Sequence, residues 1–376
     1  MQRLLTYGHQ AIDEEDIQAV VDVLRSPFLT TGPKIKEFEQ TIADYVGTKY
    51  AVAFSNGTAA LHGACYAAGV GVGDEVITSP ITFAASANCV RYMNGTVVFA
   101  DINEKTYNID VKEIEKNITS RTKVIIPVDF TGQPADMDPI MELAKKHNLT
   151  VIEDGAHSLG ATYNGRKVGT LADMTMFSFH PVKPVTTAEG GVIVTDSEEY
   201  YQKMLKFRSH GIEQTPYAQE QGDWYYEMTD LGYNYRMTDL QAGLGISQMK
   251  KLDKFIAKRR ELAAMYNKLF EDEKGITVPY HLPNTESGWH LYSVQLPEHV
   301  NRKEVFKAMR EANIGVHVHY IPVYWHPYYQ QLGYQKGLCP KAEKWYEYAL
   351  TLPLHILITE SDQLLVIKQL NKLVNF

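Results

Sequence analysis

The stretch "SFHPVKPVTTAEGG", residues 178 to 191, sets a lysine between two prolines, follows it with two threonines and ends on a glutamate and paired glycines. Pro181 and Pro184 fix their own φ angles, and proline pushes the residue before it out of helical geometry, so Lys183 is expected on a stiff, extended turn. Two readings are open. A solvated loop lysine is the common case and needs no such mounting. A lysine that must hold its amine at one point of a pocket gains from it. The flanks of the turn bear on the fold. "MTMFSF" (174 to 179) enters it and "GGVIVTD" (190 to 196) leaves it, and both are short apolar runs suited to buried strands.

Outward from there the pattern recurs. Strand-like runs are "KYAVAFS" (49 to 55), "DEVITS" (74 to 79), "GTVVFAD" (95 to 101), "TKVIIPVDF" (122 to 130) and "LTVIEDG" (149 to 155). Helical spacing marks "DEEDIQAVVDVLRS" (13 to 26), "KIKEFEQTIADYVG" (34 to 47), "GTAALHGACYAAG" (57 to 69) and "MDPIMELAKKHN" (137 to 148). This alternation predicts an α/β fold, a mostly parallel central sheet covered by helices, in a large domain over residues 1–245. From residue 246 the pattern changes. A long charged helix (247 to 273), the alternating strand "HLYSVQL" (290 to 296), a helix "RKEVFKAMREAN" (302 to 313) and the run "GVHVHYI" (315 to 321) predict a smaller α+β C-terminal domain over residues 246–376.

Composition narrows the function classes. The 376 residues are 44% apolar and 22% charged, as in ordinary globular proteins. A net charge of -8 gives no electrostatic case for nucleic acid or an anionic membrane as partner. No apolar run approaches a membrane span, and the first residues turn acidic too soon for a signal peptide. Cys65, Cys89 and Cys339 form neither a metal-ligand spacing nor an even disulfide framework, which points to the reducing cytoplasm and to no metal. "GVGVGD" (69 to 74) is no dinucleotide loop, because Asp74 stands where a third glycine belongs and the run leads from a helix into a strand.

Three further motifs join the lysine turn. In "SNGTAAL" (55 to 61) a buried strand gives way to a helix that opens with Thr58, Ala59 and Ala60, small enough for an anion to reach backbone N–H groups; an ordinary N-cap would look the same. "LTVIEDGAHS" (149 to 158) delivers Glu153 and Asp154 to the C-terminal end of a strand, where ligands collect in open α/β sheets. Three readings are open for Asp154: a metal ligand, with only Glu153 and His157 near enough to join it, a ligand-binding carboxylate that His157 orients, or a helix cap. "SPITFAASAN" (79 to 88) puts Phe83 on a turn after a strand, as a flat face for a ring or as core. One ligand answers all four elements. Pyridoxal 5′-phosphate offers a phosphate to the helix start, a basic ring nitrogen to Asp154, a ring face to Phe83 and an aldehyde to Lys183.

With "SNGTAAL", "TFAASAN", "EDGAHSLGA", "FSFHPVKPVTTAEGG" and "GYNYRMTDLQAGLG" (232 to 245) in this order, the chain resembles the DegT/DnrJ/EryC1/StrS sugar aminotransferases, fold-type I enzymes that use pyridoxal phosphate. The resemblance implies Lys183 as Schiff-base lysine and proton shuttle, and Asp154 as partner of the ring nitrogen. It implies Phe83 as the stacking ring, and Thr58, Ala59 and Ser178 as phosphate ligands joined by Asn234 of the neighbouring subunit, so that a homodimer shares its sites. His157, where many relatives have glutamine, is implied at the cofactor's ring oxygen. Arg236 and, from "HYIPVYWHPYY" (319 to 329), His319, Tyr320 and Tyr324 are expected at the sugar or nucleotide. Ala188 stands where many relatives have glycine. The implied donor is L-glutamate and the implied acceptor a nucleotide-linked keto sugar. The first expectation is the C4 keto group of a UDP-linked 4-keto-6-deoxy-N-acetylhexosamine, against 3-keto or dTDP-linked sugars. Members that dehydrate sugars carry histidine at the lysine position, so Lys183 argues against dehydration. A non-catalytic regulator that binds the cofactor remains the alternative of a different class.

Overall fold

The apolar runs between residues 50 and 195 form one seven-stranded sheet in the computed structural model, which describes residues 4 to 271 and 275 to 374. In chain order the strands are β1 (Tyr50–Phe54), β2 (Glu75–Thr78), β3 (Thr96–Phe99), β4 (Thr122–Ile126), β5 (Thr150–Asp154), β6 (Met174–Ser178) and β7 (Gly191–Thr195). Across the sheet they run β1-β7-β6-β5-β4-β2-β3. All neighbours from β6 to β3 are parallel, while β7 lies antiparallel to both β6 and β1. Side chains alternate between faces along a strand, and both faces here are apolar. Val151 therefore packs with Ile77, Ile125 and Val192 in one core, and its neighbour Ile152 with Val76, Val124 and Ile193 in the other. The expected mostly parallel sheet is what forms, with each run trimmed at its ends.

The C-terminal part departs from the expectation in three places. The long helix expected over 247 to 273 is two helices, Asp239–Met249 and Leu252–Phe270, and residues 272 and 273 lie outside the described ones. The first of them packs on the helices Glu14–Arg25 and Pro33–Val46 because its glycines allow close approach. A Cβ on Gly243 would stand 2.7 Å from Val23 Cγ2, and one on Gly245 would stand 2.6 Å from Phe38 Cε2. The division expected at residue 245 thus falls inside a helix. Second, the first strand joins the C-terminal part: Leu5–Thr6 pairs in parallel with Ile314–Gly315, and Leu5 shares a core with Tyr266, Val294, Ile314 and Leu370. Third, Val323, Tyr329 and Trp345, from the C-terminal part, pack into the core beside Val52 and Val76. The run "GVHVHYI" pairs with Leu5–Thr6 only at its start, then carries His317, His319 and Tyr320 to a cavity that is also lined by Asp154 and Ser178 at the C-terminal ends of the central strands β5 and β6. No described helix is long and apolar enough to cross a membrane.

Candidate active site

Strand register assembles the floor of that cavity. Gly191, at the start of antiparallel β7, pairs with Ser178 at the end of β6 and with Phe54 at the end of β1. One row across the sheet therefore joins Ser178 to the turn that opens the helix Gly57–Ala67. Gly191 has to be glycine, since a Cβ there would lie 2.5 Å from Asn56 O and 2.6 Å from Gly57 Cα. The helix start is capped by Asn56, whose Oδ1 accepts the Ala59 N–H at 2.8 Å. This amends the expectation for Ala59: its N–H is already taken, and the N–H groups left without a helical acceptor are those of Gly57 and Thr58. Thr58, Ala59 and Ser178 all line the cavity.

Asp154 ends β5 and is buried at 4% exposure. No helix follows it, so it is not a helix cap. Its Oδ2 accepts the Ser86 hydroxyl at 2.6 Å and its Oδ1 the Ala156 N–H at 3.2 Å. Thr82 Oγ1 contacts Ser86 Oγ at 2.7 Å, so a hydroxyl pair from the turn after β2 and the start of the helix Ala85–Tyr92 fixes the carboxylate. Burial raises its pKa, against the pull of those hydrogen bonds and of the Lys183 charge. Glu153 points to the opposite face, where it accepts the Thr175 hydroxyl at 2.8 Å, and no metal-binding cluster occurs among the described residues.

Lys183 sits on the turn its prolines predict, closed by its own N–H donating to His180 O at 2.9 Å. Its amine lies inside the cavity, and burial lowers its pKa from 10.5 to about 7, with the Asp154 charge opposing and the Arg259 charge assisting. Its Nζ is 3.4 Å from His290 Nε2. Ala188, further along the same turn, has φ +63°, the left-handed region where glycine is at ease and alanine is strained. Ala188→Gly is accordingly expected to raise the unfolding free energy by about 0.5 to 1 kcal/mol, the cost of a left-handed side chain less the added glycine entropy. A lower urea midpoint than that of the unsubstituted chain would contradict this.

The remaining walls are aromatic and imidazole. Phe83 is 64% exposed although it lines the cavity, so its ring is a free face and not core. Tyr320 packs edge-on to it at 6.5 Å, and the Tyr320 hydroxyl lies 3.3 Å from His157 Nε2. His157 Nδ1 is buried without a hydrogen-bond partner, and burial drives the ring's pKa well down. His319 lines the cavity with its Nδ1 2.9 Å from Thr351 Oγ1, beside Tyr7 and His317. The cavity they enclose measures about 890 Å³.

Three expected residues stand elsewhere. Tyr324 is fully buried, donates to Glu343 Oε1 at 2.6 Å, accepts the Cys339 N–H at 3.1 Å and packs on Phe99. The 3-10 turn Val323–Trp325 after Pro322 swings it into the core, so it is a packing residue and not a substrate ligand. Asn234 is exposed and Arg236 half-buried, and neither lines the cavity of this chain. Conversely, the sequence pattern does not single out His290, Arg259 or Ser86. Ser86 lies inside the motif that carries Phe83, and His290 merely opens an alternating strand.

A helix start with free N–H groups, a flat exposed ring, a fixed carboxylate and a buried amine of lowered pKa facing one cavity fit pyridoxal phosphate. Fold and site together define a pyridoxal-phosphate-dependent aminotransferase. A model of the DegT/DnrJ/EryC1/StrS aminotransferase family matches residues 10–371, and the chain belongs to that family. The spore coat polysaccharide biosynthesis protein SpsC of Bacillus subtilis is 43% identical over 365 residues, 95% of this chain and 94% of its own. The UDP-4-amino-4,6-dideoxy-N-acetyl-β-L-altrosamine transaminase of Campylobacter jejuni is 41% identical over 357 residues, 94% of this chain and 93% of its own. Among solved structures, Helicobacter pylori PseC, an aminotransferase involved in the biosynthesis of pseudoaminic acid, superposes with a TM-score of 0.93 at 34% identity, covering 99% of this chain and 100% of its own. The protein is a sugar aminotransferase, and its cofactor is pyridoxal 5′-phosphate.

Proposed function

We propose that this enzyme transfers an amino group from L-glutamate to the C4 keto group of a UDP-linked 4-keto-6-deoxy-N-acetylhexosamine, with UDP-4-keto-6-deoxy-N-acetyl-β-L-altrosamine, a precursor of pseudaminic acid, as the first candidate. Two relatives support that choice of sugar: the Campylobacter enzyme, named as the altrosamine transaminase, and PseC, which is involved in the biosynthesis of pseudoaminic acid. The observation that carries the chemistry is the convergence of the Lys183 amine and the Asp154 carboxylate on one cavity beside Phe83 and the anion-ready helix start.

Pyridoxal phosphate, when bound, supplies a conjugated ring that accepts the electron pair left by a departing Cα proton. The chain does the rest. Thr58, through its free N–H, and Ser178, through its hydroxyl, hold the phosphate; Ala59 shapes the approach. Phe83 covers the ring. Asp154, held by Ser86 and Ala156, keeps a proton on the ring nitrogen, and His157 faces the ring oxygen. Lys183 anchors the cofactor and then moves a proton between the donor's Cα and the cofactor's C4′. A pKa near 7 leaves about half of the amine unprotonated at neutral pH, which a general base requires. His319 and Tyr320 face the sugar.

A second copy of the chain completes the site in this reading, with Asn234 of each subunit reaching the other's phosphate and Arg236 its substrate. Trp224, Tyr226, Met228 and Leu231, all well exposed on the segment before Asn234, are what such a copy would cover. The reading places the enzyme in the cytoplasm, in keeping with three free, buried cysteines.

Two measurements test this. Mass spectrometry of the products from a panel of 4-keto and 3-keto nucleotide sugars with L-glutamate should show the UDP-linked 4-keto sugar gaining the amine; turnover confined to 3-keto dTDP sugars would sink the assignment. Asp154→Asn keeps shape and removes charge, so turnover should fall by at least about 10²-fold with the fold intact, the scale of a deleted electrostatic stabiliser. Near-normal turnover in that variant would leave Asp154 a purely structural residue.

A further inference from the structure

The Lys183 amine has one polar neighbour at hydrogen-bond reach among the described residues, and it comes from a distant part of the chain. His290 Nε2 lies 3.4 Å from Lys183 Nζ, 107 residues away in sequence. The segment that presents it is tied down on every side. Gly288 N–H donates to Gly132 O at 2.9 Å, Leu291 N–H to Thr131 O at 3.1 Å, and Trp289 N–H to Ser287 Oγ at 3.0 Å. Gly132 has φ +112°, and a Cβ on it would stand 2.8 Å from Trp289 N and 3.0 Å from His290 N, so the close approach requires glycine. From beneath, the buried Arg259 donates from Nη1 to Trp289 O at 3.2 Å, His290 O at 3.3 Å and Leu354 O at 3.0 Å. An arginine held by carbonyls alone, with no ion pair among the described residues, fixes backbone and not charge. A loop histidine without a task needs none of this.

We propose that His290 is the positioning residue for Lys183: its unprotonated Nε2 accepts a hydrogen bond from the amine and holds it in the cavity whenever the amine is not joined to the cofactor. The groups that face the ring are Lys183, His157, Arg259 and His319, and together with burial they keep the imidazole neutral. Neutrality is what suits the task. A carboxylate at this place would hold the amine too, but would keep it protonated and useless as a base, whereas an imidazole orients it with a smaller push on its pKa. The ring of His157 packs against it, 4.4 Å away between centroids and tilted by 44°, so the imidazole is restrained in tilt as well as in place.

The proposal rests on Lys183 being the reacting amine, and its test is arranged to separate the two. In the cofactor-free protein, trace acetylation of Lys183 by acetic anhydride across pH 5 to 9, read by mass spectrometry, gives the titration of that amine. A hydrogen bond to an ammonium is about twice as strong as one to a neutral amine, so His290→Leu should lower the amine's pKa by about one unit. His290→Gln returns an acceptor oxygen and should restore the titration to within about 0.3 units of the unsubstituted protein. In the holoenzyme, His290→Leu should lower kcat about tenfold with KM for both substrates changed less than about twofold, a misplaced base with binding intact. An unchanged titration in His290→Leu, or a glutamine variant that titrates like leucine, overturns the proposal. Nitrogen-15 NMR of the unsubstituted apoprotein decides without any His290 variant: Nε2 should appear unprotonated and should shift in Lys183→Met, and a protonated Nε2 refutes the assignment. If borohydride fixes the cofactor on a lysine other than Lys183, the reading of Lys183 fails; if it labels Lys183 while His290 proves indifferent, only this inference does.

Discussion

Lys183→Ala is expected to reduce amino transfer by at least about 10³-fold and to abolish covalent attachment of the cofactor, because in the proposed reading one side chain both anchors the cofactor and moves the proton. Lys183 is the one lysine among the residues lining the cavity, so no neighbour can substitute for it. Borohydride reduction of the purified holoenzyme should leave a pyridoxyl group on the peptide that contains Lys183. Label on another lysine, with Lys183→Ala turning over normally, would refute the role. The loss should be chemical and not structural. The folded protein holds this amine at about 7 while the unfolded chain has its ordinary 10.5, so between these values the unfolded state binds the extra proton. The buried lysine therefore costs stability in full below pH 7, and the cost fades as pH rises toward 10.5. Apo Lys183→Ala should accordingly melt no lower than the unsubstituted apoprotein at pH 7, with any advantage shrinking as pH rises. A variant that melts well below it would tie the lost activity to damage of the fold.

What the sequence made legible follows a physical divide. Ser178, Asp154 and the turn at Asn56–Thr58 lie at strand ends, and a short apolar run announces where a strand ends. Lys183 was announced by its prolines, and Phe83 by the turn after β2. Residues that act through space from distant elements had no such marker. His290 reaches Lys183 only because Gly132 lets two turns touch and Arg259 grips the carbonyls from a helix, and none of these contacts leaves a local pattern. Tyr324 misled for the converse reason. It lies four residues from Tyr320, which does face the cavity, but the tight turn between them reverses its direction into the core. The boundary expected at residue 245 falls inside the helix Asp239–Met249, where glycines that read as helix-weakening are the means by which that helix packs on Val23 and Phe38.

Asn234 is where the proposed reading calls on a second copy of the chain. It is exposed, it bridges to Ser209 through its backbone, and its side chain enters no part of the cavity in its own subunit. If the proposed dimer holds, a two-fold axis makes the contribution reciprocal, and each site takes Lys183 from one chain and Asn234 from the other. Asn234→Asp should then inactivate, because it sets a carboxylate against the cofactor's phosphate in a partly dry pocket. Co-expression gives the decisive case. A dimer of one Lys183→Ala chain and one Asn234→Asp chain has one site with both defects and one with neither. With random mixing half the dimers are mixed and half their sites are intact, so about a quarter of the unsubstituted activity should return from two inactive parents. If both residues serve the cofactor of their own chain, every site retains one defect and the mixture stays inactive. Activity well above that of either parent alone can arise only from sites built across the interface, and its absence, with mixed dimers confirmed by native mass spectrometry, would return Asn234 to its own subunit.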